Sequence, residues 1–146
     1  MITFIIYTER SRPPFYLVTT FVWGDGHDFD SDGNSRTPHD TEWTELYCTN
    51  RSSPFERFNV EVLKEPRPRI EITSADDNAA SKIALYLMQA LDEQVVEVMG
   101  DGQEVPVEQQ VLLSRCGDDF DLDMRSREVR DVQKSRIALL RDQTHE

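Results

Sequence analysis

A chain of 146 residues with 38% hydrophobic and 30% charged side chains has the makeup of one soluble domain with a true core, not a disordered or fibrous protein. Its formal net charge of −12 argues against nucleic acid and anionic membrane as partners, because both are held by Lys and Arg, and it favours a cationic partner. No apolar run reaches transmembrane length, and Met1–Tyr7 is too short and lacks the basic flank of a secretion signal, so the reading places the protein in the cytoplasm.

In chain order, Ile2–Tyr7 is almost continuously apolar and predicts an interior strand. A polar turn with Pro13 and Pro14 follows, and the aromatic, β-branched run Phe15–Trp23 reads as a second strand in a hairpin with the first. Gly24–Thr41 has no periodicity and reads as a long loop. Glu42–Thr49 reads as a third strand. In Phe55–Leu63, Phe58, Val60 and Val62 alternate with Arg57, Asn59 and Glu61, which predicts a strand wet on one side and hence an antiparallel sheet with an open face.

Residues 69–99 organise the rest, as strand, helix, strand. Ile70 and Ile72 alternate with Glu71. Ser74 offers a helix cap, and Asp76 and Asp77 place negative charge at the helix start. Ala80, Ile83, Ala84, Leu87 and Leu91 form one helical stripe, and Val95–Met99 returns as a strand ended by Gly100 and Gly102. Pro106 reads as the opening of a short helix through Arg115. Asp118–Asp123 reads as an edge strand or acidic loop. Ser126–Arg141 reads as a helix with Val129, Val132, Ile137 and Leu140 inward. The expected fold is a single α+β domain over 1–146, a mostly antiparallel sheet carrying the 69–99 unit and a C-terminal helix.

One motif carries a mechanism. Asp28, Asp30, Asp32 and Gly33 match the opening of an EF-hand-type calcium loop, where alternate carboxylates converge on one cation. The match lapses further on: the eighth position is Ser35 and the twelfth is His39. His27 and His39, beside Asp40 and Glu42, supply ligand types suited to a transition metal, but in no metalloenzyme spacing. A calcium-regulated or metal-dependent enzyme built on residues 24–42 is therefore the alternative reading. No nucleophile elbow and no glycine-rich phosphate loop occurs, so no catalytic set is assigned. Cys48 and Cys116 read as buried free thiols.

The leading expectation is a surface one. Asp25, Asp28, Asp30 and Asp32 surround Phe29, and Asp118, Asp119, Asp121 and Asp123 surround Phe120. Carboxylates that steer an encounter, around aromatics that supply buried area, suit a binder of a basic protein. By analogy of size and charge this would be an immunity protein or a secretion adaptor, without enzymatic activity or cofactor. Self-association into a homodimer through wet strands is a further reading.

Overall fold

The structure, a computed structural model, describes residues 1–33 and 40–144. Its elements run β1 (Ile2–Tyr7), α1 (Phe15–Trp23), β2 (Phe29–Gly33), β3 (Glu45–Asn50), β4 (Arg57–Leu63), β5 (Arg69–Ser74), α2 (Asp77–Leu91), β6 (Val95–Val98), β7 (Glu104–Val107), α3 (Gln109–Ser114) and α4 (Leu122–Thr144). The strands form one sheet in the order β2-β3-β4-β5-β1-β6-β7, and neighbours in it are antiparallel. The α+β domain read from the sequence is thus the fold.

The 69–99 unit is present with an insertion. β5 and β6 both pair with β1, one on each side, so they run parallel to each other with β1 between them. α2 makes the crossover. Its stripe of Ala80, Ile83, Ala84, Leu87 and Leu91 is buried against β5, β1 and β4. The cap lies two residues later than Ser74. Asp76 accepts hydrogen bonds from the backbone N–H groups of Asn78 (3.0 Å) and Ala79 (3.3 Å), two of the four donors a helix start leaves unpaired. Ser74 serves the turn before it: its hydroxyl accepts from Asp76 N–H and donates to the Arg57 carbonyl. Asp76→Ala should therefore cost about 1 kcal/mol in a urea unfolding measurement, with the denaturant slope unchanged.

α1 corrects the predicted second strand. Pro14 stands at its N-cap, and Tyr16 through Val22 are buried without interruption. A helix enclosed all round has no polar face, so its sequence has the same continuous apolar look as a covered strand. It is enclosed because α2 lies on one side and α4 on another. Thr19 and Thr20, β-branched and polar, are accommodated by donating their hydroxyls back to the Tyr16 carbonyl at 3.2 and 2.7 Å. Gly24, with φ +96°, ends the helix and donates its N–H to the Thr20 carbonyl.

Four further expectations change. Part of the predicted Gly24–Thr41 loop is strand β2, paired along β3. Trp43 precedes β3 and is fully buried, its Nε1–H donating to the Pro13 carbonyl at 3.0 Å. Pro106 belongs to β7, opposite Val96, on the outermost strand, where a residue without N–H is tolerated; the helix starts only at Gln109. α4 begins at Leu122 because Asp121 accepts from the Met124 N–H at 3.0 Å, capping it four residues earlier than expected.

The core lies on one side of the sheet. Phe4 and Ile6, Leu46 and Cys48, Phe58 and Val60, and Ile70 and Ile72 point inward from four strands to meet α1 and α2. α4 lies on that same side against α1, burying Val129 and Val132 while Ile137 stays 41% exposed. Among the described residues no helix lies on the opposite face.

Candidate interaction surface

The first acidic group divides between two places. The exposed Asp25 donates its backbone N–H to the Glu128 carboxylate, which ties it to α4. Arg125 of α4 completes the join by donating to the Phe21 carbonyl. Asp28 and Asp30 instead flank Arg51, at 3.0 and 2.7 Å. Phe29 is half-buried and turned inward, edge-on to Phe15 at 5.8 Å and against Trp23 at 5.6 Å. The backbone of Asp32 pairs opposite Tyr47; its side chain, and the whole of His39, lie outside the described residues.

The calcium-type opening is therefore extended from Phe29 to Gly33, and two of its carboxylates share a guanidinium. The loop's second half, residues 34–39, lies outside the described residues. His27 places Nε2 at 2.7 Å from Asn50 Oδ1 and stacks on Trp23. Among the described residues no three His, Cys, Asp or Glu side chains gather as a metal site would require.

The second acidic group surrounds the start of α4. Asp118, Asp119, Asp121 and Asp123 are exposed, and Asp121 is engaged as the cap. Phe120 is half-buried: it packs on Phe21 at 5.5 Å, with Lys82 Nζ at 5.3 Å and the Arg125 guanidinium at 5.5 Å from its ring. Burial, then the nearby Arg125, lowers the Lys82 pKa. Both aromatics singled out in the sequence thus join the domain interior, while most of the carboxylates around them face solvent.

A third group emerges only from the sheet register. On the helix-free face Glu45 stands opposite Glu61, and Glu61 opposite Glu71. The same row continues through Ile5, Val96 and Pro106. One line across six strands therefore carries three glutamates followed by three apolar side chains. Like charges directly opposite on neighbouring strands oppose pairing, by a few tenths of a kcal/mol to about 1 kcal/mol each. Local contacts ease this, among them a hydrogen bond from Tyr47 Oη to Glu61 at 3.1 Å and an ion pair in which Arg69 Nε donates to Glu71 at 2.8 Å. Asp30, opposite Thr49, shares this face. The alternation in β4 pointed Glu61 outward, but the meeting of three strands' glutamates needs the pairing itself.

Neither cysteine offers chemistry. Both are free and 1% exposed. Burial raises the Cys48 pKa strongly, and it raises Cys116 to about 11 against a smaller opposing pull from Lys82. The native state keeps the Cys116 proton where an unfolded chain would release it. The stability this contributes is complete below the ordinary thiol range and is lost as pH rises toward about 11. A disulfide reagent at pH 8 should leave both thiols unmodified in the folded protein and modify both in denaturant; fast reaction of either in the native state would contradict this burial.

Comparison with family models, with curated proteins and with solved structures finds no match to this chain. No helix among the described residues is long and apolar enough to cross a membrane.

Proposed function

We propose that this protein is a non-enzymatic module that binds a basic protein through the open face of its sheet. The observation that carries the reading is the row Glu45–Glu61–Glu71 continuing into Ile5 and Val96. Carboxylates aligned on one face repel one another in the free protein, and a cationic surface brought against them converts that repulsion into attraction. The part-exposed Val96 and the exposed Pro106 supply apolar area to bury, which charge alone does not, while Ile5 beside them is already covered. The acidic groups at residues 25–32 and 118–123 extend the negative field and speed the encounter. Capture of this kind is what an immunity protein does to a basic toxin, or an adaptor to its cargo, and it takes place in the cytoplasm.

Immobilised protein, exposed to extract of its own host, tests the reading. The expected result is a basic protein retained at low salt and released as ionic strength shortens the Debye length from about 30 Å to about 8 Å. Retention of only acidic proteins, or binding indifferent to salt, would count against it.

A further inference from the structure

A cleft of about 460 Å³ lies between the β1–α1 and β4–β5 connections. Its size suits a small organic ligand. Val62, Leu63 and Pro68 give it an apolar side, and Arg10, Arg12 and Lys64 supply three cations against the two carboxylates of Glu9 and Glu65.

Arg12 is the unusual member. Its side chain is only 9% exposed. Its Nε donates to the Trp43 carbonyl at 3.0 Å, and its guanidinium lies over the Trp43 ring at 5.8 Å. The nearest carboxylate, on the solvent-exposed Glu42, stands 3.8 Å from its terminal nitrogen, beyond hydrogen-bond reach, and is itself bound by Ser11. Nε is thus the one guanidinium position that makes a hydrogen bond among the described residues. Its terminal N–H groups have only this long ion pair among the described residues, and a ligand carboxylate can replace the exposed Glu42 there. The position of Arg12 is also fixed: its backbone N–H donates to the Thr41 carbonyl, and Trp43 is tied to Pro13. By contrast, Arg10 is occupied, donating to the Leu91 carbonyl at 2.7 Å and pairing with Glu93 at 3.5 Å.

We infer that this cleft binds a monocarboxylate with a small apolar body, its two oxygens meeting the Arg12 guanidinium and its body lying against Val62, Leu63 and Pro68. A planar carboxylate matches the guanidinium fork, and Lys64 adds a point charge at the mouth. With Arg10 paired to Glu93 and Arg12 only loosely to Glu42, the lining suits one negative charge better than a phosphate dianion. The carboxylate belongs either to a free small acid or to the α-carboxyl end of a polypeptide, and the two sources are distinguishable.

The test is NMR titration of the full chain with N-acetyl-leucine, N-acetyl-leucinamide, inorganic phosphate, and a leucine-terminated peptide with either a free or an amidated end. The acids should shift the Arg12 Nε–H and Leu63 amide signals and saturate below about 20 mM, whereas the two amides should not. Tighter binding of the free-ended peptide assigns a chain terminus, and tighter binding of N-acetyl-leucine assigns a free acid. Arg12→Lys keeps the charge but loses the fork, and should weaken binding at least about tenfold. Should that variant fail to fold, Lys64→Gln, at an exposed position, should weaken binding about threefold. No saturation by either acid, equal shifts from the amides, tighter binding of phosphate, or undiminished binding by the folded variants would overturn the assignment.

Discussion

Phe58→Ala should cost about 3–5 kcal/mol in equilibrium unfolding, enough to leave much of the chain unfolded at moderate temperature. Phe58 is 1% exposed, points inward from β4, and packs on the Trp23 ring at 5.4 Å. Removing its ring therefore opens a void where a strand meets the end of α1, and neither neighbour can readily fill it. Phe55, three residues earlier, is 89% exposed. Phe55→Ala should change stability by no more than about 0.5 kcal/mol. A similar cost for the two would mean that Phe58 does not point into the core, and the alternation that turns Glu61 outward from β4 would fall with it.

Joint replacement Glu61→Lys and Glu71→Lys should weaken capture of the basic partner by about 100-fold, at a cost to the fold of no more than about 1 kcal/mol. Each change exchanges an attraction for a repulsion at the centre of the proposed interface, worth about 1.4 kcal/mol or more per site. In the free protein the two introduced lysines would again face one another, so the strand-pairing penalty is exchanged, not removed, and the contacts from Tyr47 and Arg69 are lost. Both positions lie on a face without a covering helix, which limits the damage to about 1 kcal/mol. Equal replacements at Asp118 and Asp119, exposed beside α4, should reduce the association rate and leave the dissociation rate nearly unchanged. Undiminished binding by the Glu61, Glu71 variant would move the interface off the sheet.

Much of this fold is legible in the sequence alone. α2 announced itself because a cap, a stripe and a strand on either side all agreed, and β4 because its alternation was clean. α1 was missed for a physical reason: with Tyr16 through Val22 wholly enclosed, periodicity carries no information about which backbone they adopt. Pro106 misled because a proline that opens a helix and one that sits on an outer strand differ only in what lies next to them. The surface was legible in part. Its sign followed from charge alone, and the outward direction of Glu61 and Glu71 from alternation. Their alignment with Glu45 and Ile5 was not legible, since register is a property of pairs of strands. Phe29 and Phe120 look like surface anchors among their aspartates, yet the rings they pack on, Trp23 and Phe21, come from α1, the element whose helical form the sequence concealed.

The central claim is that the helix-free face is where a cationic partner sits. Zero-length carboxyl-to-amine cross-linking of the captured complex, read by peptide mass spectrometry, addresses it most directly. The account predicts links from partner lysines to Glu61 and Glu71, lost when the complex is dissociated by salt before coupling. Links confined to Glu128 and Asp131 on α4, with none on the sheet, would contradict it.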